Sequence, residues 1–78
     1  MMDTWAGVKQ TIETMGLDDG DLRPGTELVF DLGMDSLEMA NFAQELETVF
    51  NIEIPDAEMN GVRTVGDAVE LIRKLRGE

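Results

Sequence analysis

The longest helical pattern in this 78-residue chain runs from Ser36 to Phe50, and it constrains the fold more than any other stretch. When successive residues are placed at 100° steps around Leu46, an apolar stripe lies within about 60° of that residue. Asp35 is predicted to be the N-cap, and Glu38 stands three residues later, at the spacing of a capping box. The stripe, which we expect to face the core, consists of Leu46, Met39, Phe42, Ala43, Val49 and Phe50.

The opposite face of this helix is polar and acidic, with one large apolar exception. Leu37 falls about 180° from Leu46, so we expect it to face solvent. Single exposed leucines are common, but this one stands beside Ser36 within an acidic frame, which suits a docking surface. The residues that share or flank its face are Ala40, Asn41, Gln44, Thr48, Glu38, Glu45 and Glu47.

Three further helices are predicted from apolar spacing and capping residues. Their expected bounds are Thr4–Met15, with Asp3 as N-cap and Gly16 as C-cap; Ala57–Asn60, capped by Asp56; and a last helix from the capping-box sequence Thr64–Asp67 to Arg76. The last helix has a clear apolar face, formed by Val65, Ala68, Val69, Ile72 and Leu75. Basic residues in its final turn favour the helix dipole.

Residues 17–34 lack helical periodicity and are punctuated by glycine and proline, so they predict a long loop. Loops of this length are usually ordered for a reason. We expect parts of this loop to pack on the core, because it contains the apolar residues Leu22, Leu28, Val29, Phe30 and Leu32. The predicted architecture is a single all-α domain. It is a four-helix bundle with three longer helices, one short third helix and a long ordered loop between the first two.

Composition excludes several classes of site. The chain has no cysteine and no histidine, so disulfides, thiolate–metal sites and a serine–histidine catalytic pair are ruled out. The acidic cluster of Asp18, Asp19 and Asp21 lacks the alternating spacing of a calcium loop, and we predict no metal site.

The net charge is −11, with no Lys or Arg between Pro24 and Val62. This charge disfavours nucleic acid and anionic lipid and favours a basic protein surface.

Ser36 is predicted to stand at a helix N-terminus near solvent. A serine nucleophile needs an adjacent base, and nothing in the sequence places one beside it, so we do not expect an enzyme. A separate enzyme could instead modify the hydroxyl, because free backbone N–H groups and the helix dipole favour a phosphate at this position. Phosphorylation and attachment of a phosphate-linked prosthetic group both remain open on these grounds.

Three segments resemble the acyl carrier protein family in order and spacing. They are residues 31–38 (DLGMDSLE), 47–56 (ETVFNIEIPD) and 64–68 (TVGDA). The resemblance covers nearly the whole chain and is densest from Leu28 to Ala68. It implies a single acyl-carrier domain over residues 1–78, in which Ser36 carries 4′-phosphopantetheine transferred from coenzyme A by a separate phosphopantetheinyl transferase. The arm's thiol would then hold acyl groups as thioesters and shuttle them between enzymes of fatty acid, polyketide or related natural-product biosynthesis.

The resemblance also implies two groups of site residues. Acyl-loading, ketosynthase-type and other pathway enzymes with basic docking surfaces would meet Asp35, Leu37, Glu38, Ala40, Asn41, Gln44 and Glu47. The acyl chain or the arm would pack near Leu28, Val29, Leu46, Ile54, Met59, Val62 and Ala68.

Two departures from the family pattern bear on the cargo and the partners. Fatty-acid-type carriers are commonly acidic at the position of Asn41 and often apolar at the position of Gln44. Both residues are uncharged and polar here, so we expect a different set of partners. Asp35 stands where peptidyl carriers frequently have histidine, which favours an acyl or polyketide carrier.

A peptidyl or aminoacyl carrier, or an acidic module regulated by phosphorylation of Ser36, remains an alternative. We expect a cytoplasmic monomer with no membrane or nucleic-acid partner.

Overall fold

The computed structural model describes residues 3–17 and 20–78, and it is helical as predicted. The four helices are α1 (Thr4–Thr14), α2 (Ser36–Phe50), α3 (Asp56–Met59) and α4 (Val65–Arg76). Helix α1 packs against both α2 and α4. None of the described helices is long and apolar enough to span a bilayer. The predicted architecture of three longer helices and one short helix is confirmed.

The core draws on every longer helix and on the loop before α2. Phe42 and Leu46 of α2 have no exposed surface, and Met34 is 2% exposed. The sequence analysis did not single out Met34, or Leu71 on α4, as core residues. The other buried hydrophobic residues are Val8, Ile12, Leu28, Leu32, Ile54, Val62, Val65, Ala68, Val69 and Ile72.

Residues 27–34 form a compact, hydrogen-bonded turn that delivers the chain to α2. The N–H groups of Asp31 and Leu32 both donate to the carbonyl of Glu27, at 2.9 and 3.1 Å. Side chains four residues apart then lie on the same side, which buries Leu28 and Leu32. Val29 and Phe30 point outward and are 52% and 80% exposed. The expectation that parts of the loop pack on the core is therefore confirmed by Leu28 and Leu32, whereas Val29 and Phe30 lie outside the core.

Three backbone hydrogen bonds fasten the long loop to the start of α4. The N–H groups of Leu28, Val65 and Gly66 donate to the carbonyls of Arg63, Thr26 and Pro24, at 2.9, 2.9 and 2.8 Å respectively. A single antiparallel β-bridge pairs Glu27 with Thr64 in the same region. The loop that precedes Ser36 is thus fixed by α4, which is distant in sequence.

Gly66 is the tightest point of this attachment. A Cβ atom at Gly66 would lie 2.8 Å from the carbonyl oxygen of Pro24, so Gly66→Ala must displace the loop. We expect a loss of about 1–3 kcal/mol in the free energy of unfolding, although Ala is the better helix former. Urea denaturation measures the loss. Gly61→Ala is the matched control, because a Cβ there meets nothing within 4 Å. Equal stability of the two variants would contradict the tight approach.

Three helix ends differ from the prediction by one residue: the C-terminal end of α1 and both ends of α3, which ends at Met59 rather than Asn60. Helix α1 ends at Thr14 with Met15 as its C-cap, and Gly16 follows in the left-handed region at φ 76°. Helix α3 begins at Asp56, so Asp56 is its first residue rather than its cap. Pro55 occupies the cap position because its carbonyl accepts the N–H of Glu58 at 2.9 Å and closes the first turn.

Val49 is the exception to the predicted core stripe of α2. It is 36% exposed, because it lies at the edge of the stripe, about 60° from Leu46, where no neighbour fully covers it. Met39, Ala43 and Phe50 are half-buried, and Arg76 lies over the ring of Phe50, 5.1 Å from its centroid. The stripe that neighbouring elements cover is narrower than the apolar pattern.

The predicted capping box at the start of α4 is present. Asp67 N donates to Thr64 Oγ1 at 3.0 Å, and the Asp67 carboxylate accepts from the backbone N–H groups of Arg63 and Thr64 at 3.1 and 3.2 Å. The bond from Arg63, more than any other contact, lowers the pKa of Asp67. A lowered pKa stabilises the fold at pH values above the ordinary pKa of Asp, and this contribution is lost as the pH falls through the lowered value.

Candidate functional site

Ser36 is the only serine in the sequence, and the fold places it as the first residue of α2. It is exposed, and in the described part of the chain its hydroxyl makes no hydrogen bond to the protein. The first turn of a helix carries backbone N–H groups without helical partners, together with the positive end of the helix dipole. A phosphate ester on this hydroxyl would therefore lie in favourable surroundings.

The capping function at this junction belongs to Asp35, as predicted. Asp35 has an extended backbone, and its Oδ1 accepts the N–H of Glu38 at 2.8 Å. The Glu38 side chain reaches back to the N–H of Asp35 at 3.4 Å, which completes the capping box. Because Asp35 caps the helix, Ser36 has no structural task there and remains available for modification.

A groove of about 490 Å³ begins at Ser36 and runs between α2 and the α3 region. Its lining combines apolar side chains with amides and carboxylates. A ligand in the groove could therefore pack its methylene groups on the apolar side chains and form hydrogen bonds with the polar ones. The groove is open along its length and adjoins the serine directly. Its lining residues are Ser36, Met39, Ala40, Ala43, Gln44, Glu47, Ile54, Asp56, Met59, Asn60 and Val62.

Three of the seven residues predicted for the arm or acyl chain line this groove, namely Ile54, Met59 and Val62. The other four do not. Leu28, Leu46 and Ala68 lie in the core, at most 1% exposed, and Val29 is exposed beside a separate depression. The sequence analysis assigned Ala40, Gln44 and Glu47 only to the partner surface, although they also line the groove. The 100° phasing could have suggested Met39 and Ala43, which lie about 20° and 60° from Leu46 on the side of the helix that turns toward the groove.

The outward face of α2 is arranged as predicted. Leu37 is 69% exposed, and Ala40, Asn41, Gln44 and Thr48 are exposed around it. Within residues 3–17 and 20–78, the ion pairs involve none of the carboxylates of Asp35, Glu38, Glu45 or Glu47. These carboxylates leave negative charge uncompensated around the serine, which attracts a basic surface.

Glu47 is hydrogen-bonded to a segment beyond α2, whereas the side-chain hydrogen bonds of Asp35 and Glu38 stay within the capping box. It is half-buried, and its Oε2 accepts the backbone N–H of Ile54 at 2.8 Å. The sequence analysis placed Glu47 among the residues that meet partners, and that role stays a prediction. The structure adds an intramolecular contact that helical phasing does not indicate, because it depends on how the chain turns after α2.

Among the described residues, no group of three or more acidic, histidine or cysteine side chains is placed to hold an ion. Asp18 and Asp19, which belong to the acidic cluster considered above, lie outside the described residues.

Comparison with known proteins places the chain in a recognisable group. The family described as "Phosphopantetheine attachment site" matches residues 8–75. The chain is 39% identical over 74 residues to the meromycolate extension acyl carrier protein of Mycobacterium leprae, covering 94% of this chain and 64% of that protein. The chain is also 39% identical over 74 residues to the meromycolate extension acyl carrier protein of Mycolicibacterium aurum, and this match covers 76% of that protein. The chain thus spans less than two thirds of the length of the M. leprae relative.

The fold also matches a solved structure. A chain described as an acyl carrier protein from Mycobacterium tuberculosis superimposes with a TM-score of 0.85 at 29% sequence identity. The match covers 92% of this chain and 97% of that one. The overall helical fold of this chain therefore occurs in that protein as well.

Proposed function

The chain belongs to the phosphopantetheine-attachment family and is an acyl carrier protein, and from this we propose that Ser36 is the residue that carries its 4′-phosphopantetheine. Such proteins are carriers rather than enzymes. The observation that supports Ser36 is its position as an exposed, uncommitted hydroxyl at the first residue of α2, capped by Asp35 and adjoining the groove. It is also the only serine that the chain offers.

The residues around Ser36 fit the prosthetic group. Free N–H groups in the first turn of α2 suit its phosphodiester. Gln44 and Asn60 could exchange hydrogen bonds with amides of the arm, while Met39, Ile54 and Val62 offer apolar surface. When bound, the group supplies a thiol that holds acyl groups as thioesters, a chemistry that a chain without cysteine lacks.

We assign the carried groups to fatty-acid-type chain extension. This assignment is supported by the relatives named for meromycolate extension. Polyketide or related cargo is the alternative within the same mechanism. The partners would be a phosphopantetheinyl transferase and the pathway enzymes that load, extend and unload the chain, each presenting a basic surface to the acidic face of α2.

Loading the protein tests this function. The purified chain is incubated with an acyl-coenzyme A, Mg²⁺ and a broad-specificity transferase, and its intact mass is recorded before and after hydroxylamine treatment. We expect a gain of one acyl-phosphopantetheine, from which hydroxylamine removes only the acyl group. No gain would contradict the carrier function. The thioester isolated from the native cell identifies the cargo, and an aminoacyl group there would contradict the fatty-acid-type assignment.

Leu37 provides a test of the docking face. Burying its side chain against a partner contributes about 1.5–3 kcal/mol, so Leu37→Ala should lower the kcat/KM of transferase loading by roughly tenfold or more. The fold should be little affected, because Leu37 is 69% exposed. Val49→Ala is the matched control, since it shortens another exposed apolar residue of the same helix away from Ser36. Equal loading rates in the two variants would contradict a role for Leu37 in docking.

A further inference from the structure

The contact between Glu47 and Ile54 joins the two walls of the groove. Glu47 lies on α2, and Ile54 lies in the segment that leads from α2 to α3; both line the groove. The carboxylate Oε2 of Glu47 accepts the N–H of Ile54 at 2.8 Å in partly buried surroundings. Hydrogen bonds to a charged acceptor are roughly twice as strong as neutral ones.

The segment between α2 and α3 has few other backbone attachments. Asn51 adopts the left-handed region at φ 54° and ends the helix, and Ile52 N donates to the carbonyl of Glu47 at 3.2 Å. Pro55 has no N–H to donate. The N–H of Asn51 also donates to the carbonyl of Glu47, and Ile52 packs against the core. Beyond Ile52, the described part of the segment is held against α2 by the Glu47 carboxylate and by burial of the Ile54 side chain, which is 6% exposed.

We propose that Glu47 is a positioning residue of the groove: its carboxylate holds the 51–55 segment against α2, so that Ile54 shields the arm and the acyl thioester from water. The proposal rests on the function proposed above, because it concerns cargo held beside Ser36. It gives Glu47 a role within the chain in addition to the negative charge that it presents at the surface. Loss of the carboxylate frees the N–H of Ile54 and opens the groove on that side.

The contact itself is tested in the unmodified chain. Amide hydrogen exchange at Ile54 is measured in the wild type, Glu47→Ala, Glu47→Gln and Glu45→Ala. In Glu47→Ala we expect the exchange rate of the Ile54 amide to rise by about tenfold or more, measured relative to the exchange rate of the Ile72 amide in α4. In Glu47→Gln the increase should be smaller, because an amide oxygen still accepts the bond. Glu45→Ala, which removes a neighbouring exposed charge, should leave exchange at Ile54 unchanged.

The consequence for cargo is tested in the loaded chain. The rate at which hydroxylamine cleaves the acyl thioester should rise several-fold in Glu47→Ala, return toward the wild-type rate in Glu47→Gln and stay unchanged in Glu45→Ala. A structural role without effect on the groove would change exchange at Ile54 but leave the cleavage rate unchanged, and that result would overturn the proposal.

Failure of this proposal is distinguishable from failure of the attachment function. Unchanged exchange at Ile54 in Glu47→Ala overturns the positioning role even if Ser36 loads normally. Absence of loading on the wild-type chain overturns the attachment function, and with it the shielding of cargo, whatever exchange shows at Ile54.

Discussion

Phe42→Ala is expected to remove most of the free energy of unfolding of this chain. Phe42 has no exposed surface and heads the fully buried side chains in volume. Removing a buried aromatic ring costs about 3–5 kcal/mol, through lost transfer free energy and the cavity that remains. A domain of this size has a total stability near the low end of about 5–15 kcal/mol, and self-repulsion from a net charge of −11 lowers it further.

Urea denaturation followed by circular dichroism and by the fluorescence of Trp5 in α1 measures this loss. The control is Leu37→Ala, which shortens a large apolar side chain on the same helix at a position 69% exposed and should change stability by no more than about 0.5 kcal/mol. A Phe42→Ala variant within about 1 kcal/mol of the wild type would mean that α2 does not bury the face described here.

Ser36→Ala is expected to abolish loading with phosphopantetheine. The substitution removes the hydroxyl on which the phosphodiester would form, and the chain contains no second serine. Because Asp35 caps α2 and Ser36 is exposed, the free energy of unfolding should change by no more than about 0.5 kcal/mol. If the mass gain is lost completely while the free energy of unfolding stays unchanged, the loss of loading is due to the missing hydroxyl and not to an unfolded chain.

Thr48→Ala is the matched control for the hydroxyl. Thr48 is exposed on the same helix, and its Oγ1 donates to the carbonyl of Gln44 at 3.2 Å. This variant should load at the wild-type rate. If Ser36→Ala still gained one phosphopantetheine, the assignment of the attachment residue would be wrong.

Local sequence rules were sufficient for α2 and for its junction with the loop. The capping-box spacing of Asp35 and Glu38 and the 3.6-residue apolar period act within a few residues of each other, so both could be predicted without tertiary information. The same holds for the capping box that opens α4. The solvent-facing position of Leu37 followed directly from the phase of the helix.

The loop before α2 could be predicted only in part. Its apolar residues indicated that parts of the loop pack on the core. Which of Leu28 and Val29 is buried, however, depends on the hydrogen-bonded turn at Glu27 and on the attachment of the loop to α4. Both features involve backbone contacts that side-chain patterns do not encode. The close approach of Gly66 to Pro24 is likewise visible only in three dimensions.

The lining of the groove also depends on tertiary structure, so it could be predicted only in part. Leu46 and Ala68 were expected near the arm from family resemblance, yet both are fully covered by the core. Which apolar residues border the groove depends on how the chain turns at Asn51 and where Ile54 then lies. The hydrogen bond from Ile54 to Glu47 spans seven residues and a helix end, so helical periodicity does not predict it.

The most direct test of the account is to locate the added group on the loaded wild-type chain. The protein is loaded from coenzyme A by a phosphopantetheinyl transferase and fragmented in the mass spectrometer under conditions that retain phosphodiesters. We expect one phosphopantetheine per chain, with every informative fragment assigning it to Ser36. A chain that stays unmodified, or one that carries the group on a threonine such as Thr48, would contradict it.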